Sequence, residues 1–109
     1  MTNKETLQYI NHYVKDTLIT HLGIEFTNIG DDFLEATMPV GPQTFNPARI
    51  LHGGAIMALV ETVGSALSYL HINREKQDVR GLEINGNHVK SSSSGLVTAR
   101  AQLVHKGRN

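Results

Sequence analysis

An α+β domain, in which antiparallel strands cover one long apolar helix, is the fold class that the sequence predicts, and three observations predict it. From about Gly53 to Leu70, apolar residues (Ala55, Ile56, Met57, Ala58, Leu59, Val60, Val63, Ala66, Leu67) fall around nearly the whole helical circumference. Strand-like segments stand in pairs on either side of this run, at 24–40 and at 81–105. The resulting order is helix, strand, strand, long helix, strand, strand, which lacks the alternation of a parallel βαβ sheet.

The elements follow in chain order. Thr2 and Glu5 have capping-box spacing, and Leu7, Ile10, Val14 and Leu18 recur at helical intervals, leaving Lys4, Asn11 and Lys15 for solvent. Ile24 to Ile29 reads as a strand, Gly30-Asp31-Asp32 as a turn, and Leu34, Ala36, Met38 and Val40 alternate with polar neighbours in a returning strand. Residues 41–51 hold Pro42, Asn46 and Pro47 without a clean period and predict a loop. After the long helix, 71–80 is polar and connecting. Gly81 to Lys90 and Leu96 to His105 are two more strands around a serine-rich turn. Lys106 to Asn109 has the composition of a further turn. The expectation is therefore a strand at 96–105 with one rail unpaired, in a single domain over 1–109 that is incomplete at its C-terminus.

Composition narrows the function. The chain has 109 residues, 39% apolar and 18% charged, in the range of one ordinary globular domain. Ten basic residues balance ten acidic ones, so no overall field draws the chain to nucleic acid or to an anionic membrane. Without cysteine there is no disulfide, thiolate metal site or cysteine nucleophile. The first ten residues lack the apolar core of a signal peptide, and no apolar run reaches the length of a membrane span. These features predict a cytoplasmic protein that acts on a small molecule or a protein partner.

Two features carry chemistry. Glu61 stands inside the apolar helix, where an ionised carboxylate needs a partner, a task or a wet face. Ser65 lies one turn on and shares its face, which suits either a working site or a solvated stripe. His52-Gly53-Gly54 opens the same helix. The first N–H groups of a helix lack internal partners and can stabilise a developing oxyanion, and glycine allows close approach. A tight helix start with a capping histidine is the plainer account of the same three residues. The six histidines show no metal-ligand spacing, so no metal is expected.

Taken together, Leu51-His52-Gly53-Gly54-Ala55, Glu61-Thr62-Val63-Gly64-Ser65 and Gly81-Leu82-Glu83-Ile84-Asn85-Gly86-Asn87-His88-Val89 resemble the PaaI-like hotdog thioesterases. The likeness runs from about residue 16 to the end. It is strongest to the branch with dihydroxynaphthoyl-CoA and hydroxybenzoyl-CoA thioesterases. The resemblance implies hydrolysis of an acyl-CoA or aroyl-CoA, with no cofactor beyond the coenzyme A of the substrate. It makes Glu61 the nucleophile or general base. Gly53 N–H would polarise the thioester oxygen with help from His52, Ser65 would support the water, and His88 would lie beside the acyl group. Gly54, Thr62 and Val89 belong to the same matching stretches and are expected at the substrate. Asn46 departs from the pattern: relatives carry a glutamine there, and asparagine keeps the amide on a chain one methylene shorter. The family also has two more strands beyond residue 109. For the CoA phosphates, Lys90, Lys106 and Arg108 stand near strand ends.

Spacing adds a point of its own. Gly53 and Glu61 are eight residues apart, roughly 12 Å along one helix, too far to hold one thioester carbonyl together. Two protomers about a two-fold axis would bring one group from each, and the resemblance likewise implies a homodimer or homotetramer. Two other readings stay open: a hotdog hydratase or dehydratase, and a non-catalytic acyl-CoA binding protein.

Overall fold

The computed structural model describes residues 1–71, 79–88 and 93–105. Thr2 caps the first helix, α1 (Asn3–Tyr13), through the expected box. Its hydroxyl accepts from the Glu5 N–H at 3.1 Å, and its own N–H donates to Glu5 Oε1 at 2.9 Å. The helix does not run on to Leu18 as the spacing suggested. Asp16 adopts a left-handed φ of 64°, and Thr17 caps a separate four-residue helix, α2 (Leu18–His21), by accepting from the Ile19 N–H at 3.2 Å. The break turns Leu18 outward, leaving it 63% exposed, while Ile10 and Val14 stay in the core.

Asn11, expected in solvent, has a structural task. Its Oδ1 accepts from the Phe26 N–H and its Nδ2 donates to the Phe26 carbonyl, both at 2.9 Å. These are the two bonds a neighbouring strand would offer, so one amide side chain closes part of the open rail of β1 (Glu25–Ile29). α1 is thereby fixed to the sheet.

The sheet contains β1, β2 (Phe33–Pro39), β3 (Val79–His88) and β4 (Leu96–His105) in the order β1-β2-β4-β3, each pair antiparallel. β3 starts two residues earlier than expected. The strand at 96–105 is flanked on both rails: Leu34 pairs with Ala101 and Met38 with Val97 on one side, and Ile84 with Ala101 on the other. The expectation of an unpaired rail there is not met. It assumed pairing between sequence neighbours only, whereas β2 reaches across the chain to take the second rail.

The long helix, α3 (Gly53–Leu70), has the predicted bounds. Its packing is narrower than predicted. Ala55, Leu59, Val63 and Leu67, spaced by four, form one ridge that is 8% exposed or less. That ridge lies chiefly on β4 and β2, where Ala36, Ala99 and Ala101 are fully buried and leave room for a helix. The opposite face is open, with Met57 67% exposed, so the sheet covers a stripe of the helix and not most of its circumference. With 18 residues and a mean hydropathy of 1.3, α3 is long and apolar enough to cross a membrane by those two measures, which the sequence reading had set out of reach. In the fold it is the core helix.

The loop before α3 is tightly held. Pro42–Thr44 forms one 3-10 turn, and buried Thr44 donates its hydroxyl to the Pro39 carbonyl at 2.9 Å. Phe45 bridges to Leu51, and the His52 N–H donates to the Thr44 carbonyl at 2.7 Å. His52 is thus set at the helix start by backbone bonds on the side of the core.

Candidate active site

The N-terminus of α3 distributes its N–H groups unequally. His52 is the N-cap, and its Nδ1 accepts from the Gly54 N–H at 2.7 Å. An imidazole that accepts at Nδ1 carries its proton on Nε2, which leaves that N–H as an outward donor. The Ala55 N–H turns back to the His52 carbonyl at 3.0 Å. The Gly53 N–H has no acceptor among the described residues. A Cβ on Gly53 would meet nothing within 4 Å, whereas one on Gly54 would stand 2.9 Å from His52 Cε1. The two glycines therefore differ in cause. Gly54 makes room for the capping ring, and its amide, expected at the substrate, is committed to that ring. Gly53 faces open space with a free donor.

Asn46 lies in the loop that leads to His52. Its Oδ1 accepts from the Ala48 N–H at 2.8 Å and from the Ile50 N–H at 3.4 Å, and its own N–H donates to the Ile50 carbonyl at 2.8 Å. The side-chain oxygen therefore closes a local turn in which Arg49 takes a left-handed φ of 64°. Of the amide's polar groups, the Nδ2 donors are what remains for another partner.

Glu61 and Ser65 are exposed neighbours on α3, and the Ser65 hydroxyl donates to Glu61 Oε2 at 2.8 Å. Oε1 remains open. The pair forms the wall between two grooves. One, of about 360 Å³, runs between α1 and α3 over a floor of Ile10, Val14 and Phe26, with Thr62 and Ala66 on the α3 side. The other, of about 390 Å³, lies toward β3 among Met57, Val60, Ser68 and Ile84. A third, of about 300 Å³, borders His52 and Gly54 at the helix start. Glu61 thus faces space on both sides while its backbone belongs to the core helix.

Other expected residues are placed in part. Thr62 is half-buried and lines the first groove. His88 ends β3, its backbone paired with Val97. Val89, Lys90, Lys106 and Arg108 lie outside the described residues. Among the described residues, no group of three or more His, Asp or Glu side chains converges as a metal site would need.

Three tyrosines that belong to none of the sequence motifs come together beside the first groove. Tyr9 stacks on Tyr13 with ring centroids 5.8 Å apart, and Tyr13 on Tyr69 at 5.6 Å. Tyr9 and Tyr69 hydroxyls are 3.4 Å apart. The hydrogen bond to Tyr9, then charge repulsion from it and slight desolvation, holds the Tyr69 phenol above its ordinary pKa of 10.0. The Tyr69 phenol is thus neutral near pH 7. The i, i+4 spacing of Tyr9 and Tyr13 was the available signal; that Tyr69 joins them is a tertiary fact.

The site offers a carboxylate with one oxygen held by a hydroxyl, and a separate uncommitted backbone donor roughly 12 Å along the same helix. Groups of these kinds are able to act as a base or nucleophile and as one donor of an oxyanion hole. Comparisons with known proteins point to the same chemistry. Residues 48–109 match the sequence profile described as Thioesterase superfamily. The chain is 48% identical over 103 residues to "Proofreading thioesterase EntH" of Cronobacter turicensis, covering 94% of this chain and 74% of that protein. Among solved structures, it is similar to thioesterase HI1161 of Haemophilus influenzae, with 45% identity, a TM-score of 0.71, and coverage of 94% of this chain and 71% of that one. A mutant of thioesterase PA1618 from Pseudomonas aeruginosa is also similar, with 40% identity, a TM-score of 0.71, and coverage of 94% and 73%.

Proposed function

The chain belongs to the thioesterase superfamily as a hotdog-fold thioester hydrolase, and from that premise we propose that it hydrolyses an acyl-CoA or aroyl-CoA at Glu61. The observation that carries the reading is the Glu61 carboxylate, set on the core helix between two grooves with Ser65 on one oxygen and no partner for the other among the described residues. Attack on the thioester carbon comes from Oε1 or from a water that Oε1 deprotonates. The C–S bond then breaks, and the sulfur leaves as CoA thiolate to be protonated; where Oε1 attacked, the product is a mixed anhydride on Glu61 that a water then hydrolyses, releasing the acid and restoring the carboxylate. Negative charge gathers on the carbonyl oxygen during attack, and the Gly53 N–H with the His52 Nε2–H supplies donors for it. Asn46 Nδ2 is a further donor on that side. We place the chain in the PaaI-like branch with the dihydroxynaphthoyl-CoA and hydroxybenzoyl-CoA thioesterases, on the His52-Gly53-Gly54 and Glu61 spacing, and in the cytoplasm with its substrate.

One chain does not bring these groups to one carbonyl. Gly53, Met57 and Glu61 lie on one face of α3, and Met57 is 67% exposed. We infer a homodimer, or a tetramer of two dimers, in which Gly53 of one protomer faces Glu61 of its partner. The test of chemistry is thiol release from a panel of CoA thioesters. Glu61→Gln should cut turnover at least about a hundredfold with an unchanged melt, as loss of a base or nucleophile does. Retained turnover in that variant, or thioester binding without release of CoA, would end the assignment. For the assembly, mixing Glu61→Gln with an inactive Gly53 variant should restore activity through mixed dimers. Proven subunit exchange without recovery would put both groups in one protomer's site.

A further inference from the structure

One buried hydroxyl fastens the approach to α3 onto the sheet. Residues 45–51 form a hairpin whose bonds close on themselves: Phe45 bridges to Leu51, the Asn46 N–H donates to the Ile50 carbonyl, and Asn46 Oδ1 accepts from the Ala48 N–H. These bonds shape the hairpin and leave its placement unset. Placement comes from Thr44, 2% exposed, whose hydroxyl donates to the Pro39 carbonyl at the end of β2 at 2.9 Å and accepts from the Gly41 N–H at 3.2 Å. Its carbonyl then accepts from the His52 N–H at 2.7 Å. Leu51 also seats in the core, but apolar contact has no preferred direction and lets a segment slide. Gln43 Nε2 donates to the His21 carbonyl at 2.7 Å on an exposed side, where water competes for both groups.

We propose that Thr44 is the positioning residue for the His52 and Gly53 donors, holding them in the orientation that meets a thioester oxygen. A trans peptide sets its N–H opposite its C=O. The His52 carbonyl accepts from the Ala55 N–H at 3.0 Å and the Ile56 N–H at 3.2 Å, inside the helix, so the Gly53 N–H of the same peptide points away from it. On its other side His52 is held by the Thr44 carbonyl. With both of its peptide groups bonded, His52 keeps φ at −75° and ψ at 131°, and its ring stays on the Gly54 N–H with Nε2 outward. Release of the Thr44 hydroxyl frees the hairpin to shift, and the two donors shift with it. Thr44 is buried and acts only through His52. This role rests on the thioester-hydrolase reading and names what sets its oxyanion donors.

The experiment compares wild type, Thr44→Val, Thr44→Ser and Leu103→Ala in kcat and KM, on whichever of benzoyl-CoA and hexanoyl-CoA the wild type turns over faster, and in hydrogen exchange at the Gly54 amide. Leu103 is a core residue at the other end of α3, where its N–H meets the Asp32 carbonyl and the His71 ring meets the Asp31 carbonyl, so its variant lowers the melt without touching the helix start. Thr44→Val keeps the shape and removes the hydroxyl. It should cut kcat roughly ten- to a hundredfold with KM within about twofold, as displaced donors do, and speed Gly54 exchange about fivefold or more. Thr44→Ser should restore both, and Leu103→Ala should move neither. Thr44→Ala, which presses no apolar group on the Pro39 carbonyl, carries the same readings if the Val variant does not fold. Unchanged kcat or unchanged Gly54 exchange without the hydroxyl overturns the proposal. So does a loss of kcat in Leu103→Ala that follows its melt, which would reduce Thr44 to a stabilising residue. If neither thioester is turned over, faster Gly54 exchange that Ser restores and Leu103→Ala does not show keeps the positioning role while hydrolysis fails, and unchanged exchange ends both.

Discussion

The two faces of α3 have the same backbone and opposite duties. Ala55, Leu59, Val63 and Leu67 form a ridge that is at most 8% exposed, while Gly53, Met57, Glu61 and Ser65, on the far side, are all exposed. Apolarity does not separate them, since Met57 is 67% exposed and as hydrophobic as the residues of the ridge. What separates them is the surface each meets. Both keep an interval of four, but the ridge lies on the flat alanine field of β2 and β4, while the open face, exposed among the described residues, interrupts its apolar residues with groups able to do chemistry.

The comparison is broken most strongly by substituting the ridge. Leu59→Ala removes a fully buried side chain over a sheet that cannot collapse to fill the space, and should lower unfolding free energy by about 2–5 kcal/mol. Met57→Ala on the open face should shift it by less than about 0.5 kcal/mol if nothing covers that face. Chemical denaturation of both variants over a range of protein concentrations checks this. A large, concentration-dependent loss for Met57→Ala would sharpen the comparison by showing that a second copy covers the open face.

A second contrast lies between α1 and the edge it seals. Asn11→Ala removes two half-buried bonds to Phe26, each worth about 1 kcal/mol net, and should destabilise the chain by about 1–3 kcal/mol. Asn11→Asp keeps an acceptor for the Phe26 N–H but faces the Phe26 carbonyl with an oxygen, and should not recover the loss. Amide exchange at Phe26 reports the edge directly, and unchanged protection in Asn11→Ala would show that the strand needs no cover there.

How far the sequence discloses this arrangement depends on whether the cause is local. The bounds of α3 and β4 were legible because a helical period and a two-residue alternation hold over many residues. The break after Tyr13 was not, because Leu18 continues the apolar period and only the left-handed Asp16 and the capping Thr17 interrupt it. Asn11 and the second rail of β4 were hidden for another reason. Their partners, Phe26 and β2, are distant in sequence, and a helical amide toward solvent looks the same as one toward a strand edge. In the site, Glu61 stood out as a charge in an apolar run. The different reasons for Gly53 and Gly54 came only from the position of the His52 ring.

Those glycines give the third contrast. Gly54→Ala places a Cβ 2.9 Å from His52 Cε1, so the ring must leave its cap, at a cost of about 1 kcal/mol. Gly53→Ala meets open space and replaces a poor helix former, so its stability should hold or rise by up to about 1 kcal/mol. Activity should fall in both, through loss of the ring's placement in one and through a methyl group over the free N–H in the other. Melting and turnover measured together separate the cases. A Gly53→Ala protein with full activity would remove that N–H from the chemistry.

The smallest effect belongs to Ser65, where the two roles of the open face can be told apart. Its hydroxyl donates to Glu61 Oε2 at 2.8 Å on an exposed helix surface, so Ser65→Ala should change stability by less than about 0.5 kcal/mol. The same bond fixes one carboxylate oxygen and so determines which oxygen is left for the thioester or the water. Without it the carboxylate turns freely, and the fraction of time spent in the reactive orientation drops. A net hydrogen bond of about 0.5–1.5 kcal/mol corresponds to a fall in kcat of roughly two- to twelvefold with KM little changed. Ser65→Thr keeps the hydroxyl and should recover most of the turnover. If Ser65→Ala instead raises KM and leaves kcat alone, the serine touches the substrate and does not hold the carboxylate, and the open face carries its polar pair for binding.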